Sequence, residues 1–175
     1  MAVDFPSSPT NGQTYSYNNR TWTYNTTLTA WRDTTSTYPS FATNFSVTGL
    51  IENTNVVASA ATGTINVDVK TSAVWYYTVN ATANFTLNVR GDSSTSLNTV
   101  MANSQSLTIT FLNTNGTSAF YPTVYQIDGV AVTPKWVGGT APTAGNASSI
   151  DSYTLTIIKT ASATYTVIAA QTKFA

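Results

Sequence analysis

Apolar and polar residues alternate with a period of two along almost the whole chain, and that pattern suits only one kind of regular structure. Thr14-Tyr15-Ser16-Tyr17 and Thr21-Trp22-Thr23-Tyr24 alternate hydroxyl and aromatic side chains. Ile65, Val67 and Val69 alternate with Asn66, Asp68 and Lys70, and Phe85, Leu87 and Val89 with Thr86, Asn88 and Arg90. Leu107, Ile109 and Phe111 repeat the pattern, as do Tyr153, Leu155 and Ile157. Successive side chains of a strand point to opposite faces, so each segment offers one apolar face and one Thr/Asn face. Thr, Tyr, Val and Ile suit such a pleated, half-buried surface. The chain is expected to be all-β.

Turn residues fall between these runs. Asn18-Asn19 and Asp128-Gly129 fit tight hairpins, because Asn, Asp and Gly tolerate the positive φ such turns require. Asn115-Gly116 marks a further reversal. After Ser93-Ser94, residues Leu97, Val100 and Met101 fall at i, i+3 and i+4, which predicts a capped helix of two to three turns. Residues 1–35 are expected to form a small aromatic three-stranded meander, and 36–62 a connector with poor periodicity. From 63 to 175 there are eight strand candidates: 64–70, 74–79, 84–90, 106–113, 119–127, 130–136, 152–159 and 164–171. Eight antiparallel strands in two facing sheets predict a jelly-roll-like β-sandwich. No tandem repeat of the kind that builds a solenoid is apparent.

Composition narrows the chemistry. There is no His and no Cys, which excludes a Ser-His-Asp triad, a thiolate nucleophile, a disulfide frame and an ordinary zinc site. Seven cationic and seven anionic residues cancel, and no basic cluster offers itself to nucleic acid or an acidic membrane. The acids are Asp4, Asp33, Glu52, Asp68, Asp92, Asp128 and Asp151, no two adjacent. Nothing in their spacing asks for a glycosidase pair or a calcium loop. The expectation is a protein that is not an enzyme and uses no cofactor or metal.

Three groups of residues remain as candidate contacts. The first is the row Tyr15, Tyr17, Trp22, Tyr24 and Trp31, which a thirty-residue meander needs for its own core but which also suits docking, since aromatic residues are enriched at protein interfaces. Lys135-Trp136 and Asn146, around the glycine-rich loop 137–149, are candidate ligand contacts, because long ordered loops often carry them. Trp75-Tyr76-Tyr77 puts aromatic rings on both faces of one strand, which implies that both faces are covered. Arg90-Gly91-Asp92 spells an adhesion tripeptide, yet its position after a strand makes it a turn.

The opening from Phe5-Pro6-Ser7-Ser8-Pro9-Thr10-Asn11-Gly12-Gln13-Thr14-Tyr15 through Asn19-Arg20-Thr21-Trp22-Thr23-Tyr24 to Ala30-Trp31 resembles a module at the start of structural proteins of tailed bacteriophages, in particular marine types that infect cyanobacteria. Ala61-Thr62-Gly63-Thr64-Ile65-Asn66, Gln126-Ile127-Asp128-Gly129, Val132-Thr133-Pro134-Lys135-Trp136 and Gly145-Asn146-Ala147-Ser148-Ser149-Ile150-Asp151 extend the resemblance over most of the chain. It implies a virion structural protein of the decoration or fibre type and brings no catalytic residues with it. Its expected partners are the major capsid protein or other virion proteins, and further copies of itself, with a trimer expected from fold analogy. A host surface glycan is the alternative partner, for a tail-fibre module. The first residues lack a basic stretch followed by an apolar run, so the expected route is synthesis in the host cytoplasm and display on the virion surface.

Overall fold

The computed structural model describes residues 4–18, 20–34 and 51–174, and the chain divides into two compact units, Met1–Leu50 and Ile51–Ala175. Within the first unit, β1 (Thr14–Tyr17), β2 (Arg20–Asn25) and β3 (Ala30–Asp33) form an antiparallel meander in sequence order. Tyr17 pairs with Arg20 across a two-residue connection in which Asn18 takes φ +48°. Residues 36–50 of the expected connector lie outside the described residues. Residues 54–60 of it form a strand, β4 (Thr54–Ala60), whose half-buried positions alternate too weakly to stand out in the sequence.

The second unit is all-β, with β5 (Gly63–Asp68), β6 (Val74–Val79), β7 (Phe85–Arg90), β8 (Ser106–Thr114), β9 (Pro122–Ile127), β10 (Val130–Val132), β11 (Lys135–Trp136), β12 (Ile150–Ala161) and β13 (Thr164–Phe174). One sheet has the order β10-β9-β7-β5 and the other β11-β13-β12-β8-β6-β4. The candidate strand 130–136 splits into β10 and β11, which belong to different sheets. Pro134 between them is buried and has no N–H with which to continue a ladder.

Pairing departs from the antiparallel jelly roll. From β4 to β9 the chain alternates between the two sheets, so β4, β6 and β8 lie parallel in one and β5, β7 and β9 parallel in the other. Three turns of a flattened coil result. The reason lies in the connections: a two-residue hairpin makes antiparallel neighbours, while parallel neighbours need a long crossover, and here the strand of the opposite sheet serves as that crossover. Antiparallel pairing returns only at the Asp128-Gly129 hairpin, where φ is +51° and +79°, and in the β8-β12-β13 ladder.

Between the sheets lies one apolar layer. Phe85 from β7 meets Phe111 from β8 with ring centroids 5.6 Å apart, and Tyr125 from β9 meets Trp136 from β11 at 5.4 Å. Leu87, Val67, Ile109, Tyr153 and Ile157 are fully buried among them.

The expected helix is a single turn, α1 (Leu97–Val100), capped by Ser96, whose Oγ accepts from Thr99 N–H at 3.1 Å. A turn this short does not hold itself in water, and it is fastened from outside at both ends. Asp128 accepts from the N–H groups of Leu97 (2.7 Å) and Asn98 (3.1 Å), negative charge at the helix N-terminus. Lys159, on β12 and 5% exposed, donates its Nζ to the carbonyls of Asn98 (2.6 Å) and Met101 (2.7 Å) at the other end. Replacement Lys159→Met keeps the stem and removes the donors, stranding both carbonyls. Denaturant unfolding should show a loss of about 2–3 kcal/mol, and an unchanged midpoint would contradict the clamp.

Candidate functional site

Antiparallel partners share a face, and the meander's register puts all five expected rings together. Tyr15 pairs with Trp22, Tyr24 with Trp31, and Tyr17 lies two residues on from Tyr15. The opposite face carries hydroxyls instead, with Ser16 bonded to Thr21 and Thr23 to Thr34, each at 3.0 Å. An ion pair between Arg20 and Asp33 (3.4 Å) edges the aromatic face.

One ring was not anticipated as part of the site. Phe5 lies on the middle of the aromatic face, stacked on Trp31 at 5.1 Å and 10°, and edge-on to Trp22 (5.4 Å) and Tyr15 (5.5 Å). The Phe-Pro pair upstream of the first strand was its only signal. Phe5 makes Trp22 and Trp31 a local core, and leaves Tyr17, 38% exposed, at one end of the face and the half-buried Tyr24 at the other. Truncation Phe5→Ala should uncover both indoles and destabilise the meander by about 2 kcal/mol. A red shift in tryptophan emission, with loss of the low-melting part of the thermal transition, is the expected readout.

Residues around the 137–149 loop divide differently from expectation. Lys135 pairs in register with Ile168 and is exposed, whereas Trp136 pairs with Ala169 and packs on the core beside Tyr125. The two side chains therefore leave opposite faces of β11, and no joint cation–aromatic contact forms. Trp136 instead walls a cleft of about 310 Å³ with Tyr121, Tyr125, Pro134, Ala141 and Pro142. Asn146 does not line that cleft; its backbone N–H donates to Asp151 Oδ2 at 2.8 Å.

Asp68 and Asp92 are committed to structure. Asp68 pairs with Arg90 at 2.6 Å and Asp92 with Lys70 at 2.5 Å, which also accounts for the adhesion-like tripeptide. Asp92 Oδ1 accepts from the N–H groups of Ser94 and Thr95 as well, and these bonds hold its carboxyl far below the ordinary range, the Lys70 contact contributing most. A Cβ at Gly91 would lie 2.5 Å from the Thr95 carbonyl, so the tripeptide's centre is fixed by packing. Among the described residues, no three His, Cys, Asp or Glu come together to hold a metal ion, and no helix is long and apolar enough to cross a membrane.

Asp151 has no cation among its hydrogen-bond partners. It is fully buried, directly opposite Asn113 in the β8-β12 register. Asn115 joins the two: its Nδ2 donates to Asp151 Oδ2 (3.1 Å) and its Oδ1 accepts from Asn113 Nδ2 (3.1 Å). Asp151 Oδ1 and Asn113 Oδ1 are left buried with no donor. Burial raises the Asp151 carboxyl above its ordinary value, against the smaller opposing pulls of the Asn146 N–H, the Lys173 charge, Tyr153 and Asn115.

Because the folded-state value lies above the unfolded one, near 4, the native state holds the extra proton between the two. The site's contribution is then full below about pH 4 and is lost as pH rises through the folded value. Asp151→Asn, neutral and of the same shape, should flatten that decline. Unfolding midpoints of both proteins across pH 4 to 8 test this, and parallel pH profiles would contradict it.

Compared with protein-family models, curated proteins and solved structures, the chain matches none.

Proposed function

We propose that this is a virion structural protein of a tailed bacteriophage, a non-enzymatic decoration or head-fibre protein that docks on the outside of the capsid. The observation that carries the reading is the meander's division into one aromatic and one hydroxyl face, built from the segment 5–31 that resembles phage structural modules. Tyr15, Tyr17, Trp22, Tyr24 and Trp31 form the docking face, with Phe5 as its keel and the exposed rims of Tyr17 and Tyr24 as first contacts. The 51–174 unit is the projecting body, a two-sheet sandwich in the place of a jelly roll. Acids committed to ion pairs and caps fit a role in adhesion rather than reaction. Neutral composition, with Thr, Ser and Asn about two residues in five, suits a surface that faces water outside a cell.

A second reading rests on a separate observation. The Trp136 cleft, rimmed by the 137–149 loop, has the aromatic wall on which a sugar ring stacks, and it favours a tail-fibre module that recognises a host surface glycan.

Gold-labelled antibody on intact particles distinguishes the two, with label over the head expected for decoration and label on the tail or its fibres for host recognition. Heads stripped of the protein should recapture it when it is added back. Tyr17→Ser with Tyr24→Ser should weaken recapture about tenfold or more. Failure of the unaltered protein to rebind overturns the docking proposal.

A further inference from the structure

The two sheets of the 51–174 unit present different outer faces. On the four-stranded sheet, Asn88 bonds to Asn66 at 2.8 Å, the Arg90–Asp68 ion pair lies in the next row, and Gln126 follows Asn88 in register. This face is polar and charged.

The outer face of the six-stranded sheet is not. Its registers give rows that run straight across the strands. Val56, Tyr76, Leu112, Ser152 and Thr172 make one row, and Thr54, Val74, Thr110, Thr154 and Ala170 the next. Thr108, Thr156 and Ile168 follow, with the first two hydroxyls bonded at 3.0 Å. Neither Asp, Glu, Lys nor Arg occurs in these rows, and charge arrives only at the far edge with Lys135. Val56 is 60% exposed and Ile168 48%. Tyr76 on this face, with Trp75 and Tyr77 turned to the core, is the doubly aromatic strand whose second cover the sequence left unexplained.

We propose that a second copy of this chain covers the face, in a two-fold pairing of six-stranded sheet on six-stranded sheet. Two features select a copy of itself. A face that meets itself across a two-fold axis opposes each row to the same chemistry, and like charges there would be prohibitive, but β4, β6, β8, β12 and β13 bring none to these rows, and Lys135 of β11 stands at the edge. Hydroxyls both donate and accept, so threonine rows are complementary to themselves. Size sets the strength of the pairing: about eight steps of about 3.4 Å along β8, β12 and β13, but only about four along β6 and β4, at strand spacings of about 4.8 Å, give roughly 400 Å² in plane. That places the contact at the low end of specific interfaces. The pairing makes a dimer, in place of the trimer suggested by analogy.

Sedimentation velocity of the full-length protein from about 1 to 100 μM tests the pairing. The unaltered chain should sediment as a dimer. Thr110→Lys and Thr156→Lys, at the centre of the face, should each raise the dissociation constant at least about 100-fold by setting like charges opposite one another. Gln126→Lys, on the outer face of the other sheet, should leave it unchanged, with circular dichroism and thermal midpoints establishing that all three variants fold. A monomer at 100 μM overturns the proposal, as does a dimer that survives Thr156→Lys or one that Tyr17→Ser and Tyr24→Ser disperse instead. Head recapture is read separately, so loss of docking with the dimer intact counts only against the capsid role.

Discussion

Between Thr54 and Ile127 the chain changes sheets after every strand, and the remaining architecture follows from that constraint. Neither sheet is built from a contiguous piece of sequence, so neither can form ahead of the other. What joins them is the apolar layer to which Phe85, Leu87, Phe111 and Tyr153 all contribute. Each rung gains its pairing from strands roughly twenty or more residues away in sequence, and the closure entropy is offset only when the layer fills. A single methyl removed from this layer therefore weakens the registers of both sheets.

Polar groups inside such a layer are costly unless bonded, and this protein uses a few of them as cross-ties. Lys159 reaches from β12 to the end of α1, while Asp128 reaches from the β9–β10 hairpin to its beginning. Two elements remote from α1 in sequence thus hold four residues helical. Asp151, Asn113 and Asn115 do comparable work at the opposite end of β12, tying it to β8 and to the loop at Asn146. Gly145 completes this corner, since a Cβ there would lie 2.6 Å from the Phe120 carbonyl and 2.8 Å from Asp151 Oδ2.

Much of this was legible in the sequence. Alternation located most strands, though not β4 or the break between β10 and β11, and gave their inward sides, because side-chain direction in a strand is a local property; Ile65 and Val67, or Leu155 and Ile157, need no partner to declare their face. The five rings of the meander shared a face as their spacing required. Partner choice was not legible. Thr64–Val67 carries the same pattern whether its neighbour runs parallel or antiparallel, and Asn115-Gly116, which reads as a reversal, connects β8 and β9 of different sheets. Asp128 showed itself as a turn residue but not as a helix cap, which depends on a segment thirty residues upstream. Phe5 escaped for the same reason: a ring outside any strand declares nothing about what it will cover.

The strand order of the larger sheet also sets a schedule for a chain that emerges from the ribosome N-terminus first. β12 and β13 follow the coil in sequence, yet β12 sits between β13 and β8 and joins the coil to its antiparallel half. Until that hairpin arrives, β8 is an open edge, Ile109 and Phe111 lack their partners Leu155 and Tyr153, and α1 lacks Lys159. Until then the nascent chain carries an unfinished, sticky sheet, the kind of species that associates wrongly at high concentration. Pairing of the β12–β13 hairpin with β8 is the step that ends this exposure.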